Sequence, residues 1–534
     1  MVFSEIVFLS VFLPITFILY YLPIPFKGQA GLKYRNAVLV IASLIFYAFG
    51  EPVYVFLMIG SVLINYIFGL LLSCHGDITT DNISSPADKD PSSVKKEKGA
   101  NVRKAWLVLS VIVNVGILAV FKYTGFFLTT INSAFDLSLP VPDIKLPIGI
   151  SFFTFQAMSY VIDVYRDGCT YQKNFFKLLL YISFFPQLIA GPIVRYHDID
   201  FQLTNRGLGK LSDDLADKSG CKNGIASSEQ ITAGLMRFSK GLAKKVILAN
   251  TMGYIADKVY ALDITQYGSG VAWMGAICYV FQIFYDFSGY SDMAIGLAKV
   301  FGFEFRENFD HPYSSLSIKE FWRRWHISLS SWFKEYVYIP LGGNRKGRIR
   351  TELNKLIVFF LTGFWHGANW TFIVWGLFHG FFLILEDSIA YIRSEDTKKR
   401  KPGMIRMVLS NLYVWFVVII GFVFFRSDSL GYAGQMLKQM FTGFSPAVGG
   451  RVSLGVVLEQ MNPYNILIFL IAILFSYPVT EKIVEKFKSD KTKESQKQNK
   501  WWEPCLMLGS LILIAVSILC LASAAYNPFI YFRF

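Results

Sequence analysis

Apolar runs close to or above the length of a bilayer crossing recur from one end of this chain to the other, and they leave it few folds to choose from. A helical span needs about 20 predominantly apolar residues. Candidate spans fall at about 5–22, 36–50, 52–73, 105–122, 146–165, 175–194, 235–255, 270–300, 356–388, 405–425, 463–482 and 504–524. Inside lipid every backbone amide and carbonyl must find its partner within the protein, so segments of this kind fold as helices. The expectation is an all-α, polytopic membrane bundle, with residues 1–534 forming one integral membrane domain. Composition agrees: 17% of the residues are charged, where a soluble domain carries about 25%. No basic leader precedes the first run and no small-residue cleavage site follows it, so it reads as a span and not as a signal peptide.

The net charge of +14 is gathered at Lys27–Arg35, Lys95–Lys104, Arg345–Arg350, Lys398–Arg406 and Lys482–Lys500. Each cluster lies between apolar runs, as cytoplasmic loops do under the positive-inside rule. No nucleic-acid reading module accompanies the charge, so nucleic acid is not an expected partner. The same rule puts the N-terminus and the C-terminal Tyr531–Phe534 on the outer face. Residues 75–103, rich in Asp, Ser, Lys and Pro, read as a flexible cytoplasmic loop.

One interval breaks the count. Basic clusters on both sides of Asn354–Asp387 look cytoplasmic, yet a single span would put its two ends on opposite faces. A break at Gly363–Asn369 resolves this, giving a re-entrant hairpin or broken helix with His366 near its tip. Non-helical backbone at that depth is tolerated only where protein or a cavity surrounds it.

Two histidines stand out in this apolar setting, His366 in Thr362–Trp370 and His326 in Phe321–Ser330. An ionisable group within a bilayer is costly and needs a reason, and imidazole, with a pKa of roughly 6.5, suits proton transfer near neutrality. His366 reads as an acid–base residue. For His326 two readings stay open: a hydrogen-bonded structural histidine, or a second active-site residue orienting substrate or His366. Around His326, the run Trp322–Gly343 interleaves Trp322, Trp325, Trp332, Tyr336 and Tyr338 with Arg323, Arg324 and Lys334, which reads as an amphipathic helix lying in the membrane plane. His379, Glu386 and Asp387 are expected near the cytoplasmic interface, and His75, His197 and His311 in loops.

Gln282–Asp292 places Asp286, Ser288 and Asp292 in apolar sequence. Six residues apart, the two carboxylates would not share a face of a continuous helix, and Gly289 is expected to loosen it. Either they pair with Arg323, Arg324 or a lysine and hold the bundle together, or they line a substrate path. The six cysteines show no CxxC spacing, so no metal site is expected. Phosphate-loop, dinucleotide and G-x-S-x-G signatures are missing from the sequence.

The sequence resembles the membrane-bound O-acyltransferase family, and within it the bacterial branch of alginate O-acetylases. The likeness rests on Tyr47–Tyr54, Phe184–Ile193, Gln282–Asp292, Glu307–Tyr313, Phe321–Arg345, Phe364–Gly380 and Phe424–Leu430. It implies transfer of an acyl group, most simply acetyl, from a cytoplasmic thioester to a hydroxyl, for O-acetylation of a cell-surface polysaccharide from a bacterial cytoplasmic membrane. His366 matches the family's near-invariant histidine and His326 the second histidine of this branch. Acetyl-CoA is the implied donor, with no permanently bound cofactor, and Arg345, Lys346 and Arg348 would steer its phosphates. Donors for the developing oxyanion are sought in Asn369, the Trp365 indole or amides beside Gly367. Trp325, Arg323, Arg324, Gln282, Asp286, Ser288 and Asp292 are candidates for lining or supporting the tunnel. Similar systems imply an extracytoplasmic partner of the SGNH-hydrolase-like type, which hands the acyl group to the polysaccharide. Two other readings are D-alanyl transfer to teichoic acid and a transporter or channel.

Overall fold

The computed structural model of the chain describes residues 1–74, 100–206, 224–392, 403–443, 459–479, 502–523 and 526–530. Most of the loop at 75–103, the cluster Lys482–Lys500, part of Lys398–Arg406 and the terminal Tyr531–Phe534 lie outside these residues.

The described residues fold into helices. In chain order the first four are α1 (Phe8–Tyr21), α2 (Gly28–Gly50), α3 (Tyr54–Cys74) and α4 (Asn101–Phe135). Then come α5 (Ile150–Tyr165), α6 (Phe175–Ser183), α7 (Tyr196–Asn205), α8 (Ser228–Ala243), α9 (Asn250–Tyr260) and α10 (Ser269–Val300). The last eight are α11 (Ile318–Arg324), α12 (Ile327–Phe333), α13 (Arg348–His366), α14 (Trp370–Ile392), α15 (Met404–Arg426), α16 (Leu430–Thr442), α17 (Pro463–Ser476) and α18 (Trp502–Ser523). Among the described residues, α2, α3, α4, α10, α14, α15 and α18 are long and apolar enough to cross a bilayer. Their outward faces remain greasy. On α2, Ile41, Ile45 and Phe49 are all exposed, and a spacing of four puts them on one stripe. In water such a stripe would be an aggregation hazard; against lipid tails it is the expected surface. The protein is therefore a multi-pass membrane protein.

Not every apolar run is a crossing. The runs at 146–165 and 175–194 form an inner layer instead. α5 is buried along nearly its whole length behind α3 and α4. α6 stops at Ser183, and the chain turns helical again for Phe185–Leu188 with Pro186 in its first turn, where the missing amide costs nothing.

α10 is the hub, packed against α8, α9, α15 and α16. It runs unbroken through Gly289, so that glycine does not loosen it as expected. Its role is close approach. A Cβ on Gly241 of α8 would sit 2.5 Å from the Gly289 carbonyl oxygen, and one on Gly296 would sit 2.5 Å from that of Gly234. The two pairs are one heptad apart on both helices, so backbone meets backbone over two turns, as small residues permit between membrane helices.

Two helix interruptions present the two histidines to the interior. α13 ends at His366 and α14 begins at Trp370, so the long apolar stretch is a helical hairpin with His366 at its tip, as the charge pattern required. The arms touch where Gly363 faces Gly376: a Cβ on Gly376 would lie 3.2 Å from the Gly363 Cα. The second interruption falls at Trp325–His326, between α11 and α12. It corrects the reading of Trp322–Gly343 as one interfacial helix. Trp322, Trp325, Trp332 and Tyr336 are buried, because the two short helices turn their aromatics into the core.

Candidate active site

His366 is the last residue of α13, where helix carbonyls run out of intrahelical partners. A wider, π-type turn of α4 at Ala119–Tyr123 supplies them. The Tyr123 hydroxyl donates to the Phe364 carbonyl at 2.8 Å. Lys122 Nζ donates to the carbonyls of Trp365 at 2.5 Å and His366 at 3.1 Å, and to Ser151 Oγ at 3.4 Å. A cation at a helix C-terminus is favourable, and this one also sits 5.8 Å from the Trp365 ring centroid. The His366 ring is boxed by Trp365, Trp375 and Phe425 at centroid distances of 4.9, 5.1 and 5.1 Å.

His326 stands at the other interruption, with φ 45° and ψ 54°. That left-handed conformation is uncommon outside glycine, and histidine is among the residues that tolerate it best. The side chain is fully buried. Phe287 meets its ring edge-on at 4.5 Å, and Nδ1 lies 3.2 Å from Asn308 Oδ1. On the far side of α12 the chain is anchored: Tyr336 donates to Asp163 Oδ1 at 2.8 Å, and Arg195 pairs with Glu335. His197 Nδ1 lies 2.9 Å from the other oxygen of Asp163, a hydrogen bond that raises this imidazole above its ordinary pKa.

Two cavities meet at His366. The larger, about 270 Å³, is lined by Lys122, Gly149, Ser151, Phe152, Trp365 and His366 among others. The smaller, about 10 Å³, is lined by Phe287, Trp325, His326, His366, Phe425 and Ile530 among others. One imidazole thus borders both hollows and shares the inner one with the other imidazole. Acid–base work in a water-poor setting is what such an arrangement can perform.

The remaining sequence candidates divide. Trp365 lines the larger cavity, and its indole Nε1 is buried without a partner, a donor still to be used. Trp325 lines the smaller cavity. Asn369 is committed elsewhere: Nδ2 donates to the Asp428 carbonyl at 2.9 Å and Oδ1 accepts the Thr371 amide at 3.1 Å, so it shapes the start of α14. Asp286 forms a buried pair with Lys245 at 3.0 Å and accepts the Ile530 amide at 2.8 Å. Asp292 pairs with Arg237 at 2.9 Å and Lys244 at 2.6 Å. Both carboxylates therefore follow the bundle-holding alternative, with partners other than Arg323 and Arg324. Arg323 is exposed, and Arg324 binds Glu320 at 3.0 Å and Asp310 at 3.3 Å. Ser288 Oγ and Gln282 Oε1 are buried without partners but border neither cavity. His379, expected at the interface, is fully enclosed among Phe321, Trp322, Trp375 and Phe378. His366 and His379 both pack on Trp375 of α14, whereas Glu386, further along that helix, accepts the Ile318 and Lys319 amides at 2.6 and 3.0 Å. Lys122 and Asn308 were not singled out from sequence. A lone lysine in the apolar run 105–122 was the available signal for the first.

The sequence profile of the MBOAT, membrane-bound O-acyltransferase family, matches residues 118–430, a stretch holding Lys122, Asn308 and both histidines. The chain belongs to this family. It is accordingly a membrane O-acyltransferase. The protein named probable alginate O-acetylase AlgI in Pseudomonas syringae pv. tomato is 41% identical, covering 83% of this chain and 75% of its own. A peptidoglycan O-acetyltransferase of Helicobacter pylori is 32% identical over 99% of this chain and 98% of its own. A teichoic acid D-alanyltransferase of Streptococcus thermophilus is 30% identical over 56% of this chain and 68% of its own.

Because Lys122 caps the helix that presents His366, Lys122→Met is expected to slow acyl transfer by on the order of 10²-fold, the cost of a small misplacement of a reacting group. The rate of acyl transfer in membranes, set against the amount of folded protein, measures it.

Proposed function

We propose that this protein takes an acetyl group from acetyl-CoA at the cytoplasmic face and delivers it to a hydroxyl on the outer side of a bacterial cytoplasmic membrane, for O-acetylation of a cell-surface polysaccharide. The observation that carries the reading is the His366 ring standing between two cavities. With the basic cluster at Arg345–Arg350 inside, the hairpin of α13 and α14 rises from the cytoplasm to that point. On the same orientation α4 ends on the outer side, and Leu146–Gly149 of the larger cavity, which follow it in the chain, would face the side from which the hydroxyl enters. Arg345, Lys346 and Arg348 are exposed beside the base of the hairpin and attract the phosphates of the donor.

The chemistry is acyl transfer. The hydroxyl gives up its proton to one of the two imidazoles, its oxygen bonds to the thioester carbonyl carbon, and the carbon–sulfur bond breaks. The same imidazole returns the proton to the departing thiolate. The Trp365 indole, buried without a hydrogen-bond partner, would be the donor to the carbonyl oxygen as charge collects there. For delivery to a polymer the reading includes an extracytoplasmic partner of the SGNH-hydrolase-like type, which receives the acetyl group on a hydroxyl of its own or guides the polymer to the site.

Likeness across 83% and 99% of the chain to proteins named for O-acetylation, against 56% for the D-alanyltransferase, favours acetyl over D-alanyl. Membrane vesicles carrying the full chain, offered either labelled acetyl-CoA or a carrier protein charged with labelled D-alanine, decide the matter. Label is expected in ester form from acetyl-CoA alone. Label from the D-alanyl carrier alone would replace this reading with teichoic-acid-type transfer.

A further inference from the structure

Residues 526–529 are non-helical, and backbone of that kind is tolerated inside a membrane protein only where protein or a cavity surrounds it. Here polar side chains from distant parts of the sequence take hold of it. Lys245 donates to the Pro528 carbonyl. Asn250 Nδ2 donates to Asn527 Oδ1 at 3.2 Å, and Asn527 Nδ2 donates to the Ser4 carbonyl at 3.1 Å. Asp286 accepts the Ile530 amide at 2.8 Å, and Phe529 packs on Tyr290 with ring centroids 5.1 Å apart. The buried pair of Asp286 and Lys245 therefore grips this segment from both sides of Phe529. What the grip delivers is the Ile530 side chain, buried at 4% exposure, to the wall of the smaller cavity at His366.

The two cavities differ in chemistry as well as in size. The larger presents Lys122 and Ser151 beside His366 within about 270 Å³, a setting for a hydroxyl-bearing acceptor. The smaller has about 10 Å³, and apart from the two imidazoles it is walled by apolar side chains, among them Ile283, Phe287, Phe425 and Ile530. That volume holds about one group of a water molecule's size. An apolar seat of this size against the His366 ring suits the methyl of an acetyl group and leaves no place for a further carbon. Close-packed interiors yield little to an added methylene.

We propose that the smaller cavity seats the methyl end of the acyl group and that Ile530 closes it, so that the segment before the C-terminus sets the length of acyl chain the enzyme accepts. The inference rests on the acetyl-transfer reading and adds to it where the acyl group lies and what limits its size. Crowding against one extra methylene discriminates about 10–200-fold, so acetyl is favoured over propionyl by that order.

The test uses inverted membrane vesicles from cells making the full-length protein, offered labelled acetyl-CoA or propionyl-CoA at varied concentration. The readout is the ratio of kcat/KM for the two donors, followed as alkali-labile label. Size-exclusion profiles in detergent report folding. Ile530→Ala and Ile283→Ala are each expected to move the ratio at least about tenfold toward propionyl, within the span of one methylene. Ile189→Ala enlarges only the larger cavity and, whatever it does to the rate, is expected to leave the ratio within about twofold of wild type, short of the discrimination a methylene carries. A folded Ile530→Ala with the wild-type ratio would overturn the proposal, and so would an Ile189→Ala that shifts the ratio as far. If Ile530→Ala does not fold, Ile283→Ala decides on the same criterion. Failure of the underlying reading looks different: wild type would form no more ester label from acetyl-CoA than His366→Ala.

Discussion

His366→Ala is expected to bring ester-linked acetyl on the surface polysaccharide down to the level of cells lacking the protein. The loss of a positioned acid–base group costs about 10²–10⁴-fold in rate, and this ring lines both cavities. The fold should survive, because the turn around His366 is held by backbone carbonyls that accept from Lys122 and Tyr123 and not by the imidazole. The measurement is quantification of ester groups on purified polymer from cells making equal amounts of either protein. Unchanged ester content in the variant would end the assignment of His366.

Asp286→Ala is the second substitution with a large expected effect, and it acts on stability. Asp286 and Lys245 have side chains only 2% and 3% exposed. Around them Lys245 also donates to Asn250 at 3.0 Å and to the Pro528 carbonyl. Removing the carboxylate leaves a buried ammonium without its counter-charge, which costs about 3–5 kcal/mol. The midpoint of thermal unfolding in detergent should drop accordingly. The double substitution Asp286→Ala with Lys245→Met removes both charges and is expected to recover most of the loss, as replacing a buried pair by apolar groups often does. If Asp286→Ala unfolded at the wild-type temperature while acyl transfer collapsed, the carboxylate would belong to the chemistry and not to the frame.

Much of this architecture is legible in the sequence because the bilayer imposes strong rules. The hairpin tip at His366 comes from charge bookkeeping alone: basic residues on both sides of one long apolar run force an even number of passes. Trp365 lines the larger cavity and Trp325 the smaller. The aromatic run around His326 was harder, since tryptophan and tyrosine beside arginine look the same whether they face headgroups or a wet-ended core. Only the break at Trp325–His326, set by contacts with Asn308, decides between the two. Lone polar residues carry no address of their own. Asp286 and Asp292 advertise that they need cations, but their partners, Lys245 on one side and Arg237 with Lys244 on the other, come from the segment around α8, which periodicity cannot dock against α10. His379 likewise could not be placed from its distance to the loop, because depth along α14 and enclosure by neighbouring rings are separate facts.

The glycine contacts between α8 and α10 carry one last implication. Where main chains touch directly, no cushion of rotatable side chains is left to absorb sliding, so the two cylinders behave as a single beam. A membrane that thins or thickens would tilt that beam as a whole without shearing its members, and the chamber built against it would keep its shape while its surroundings change.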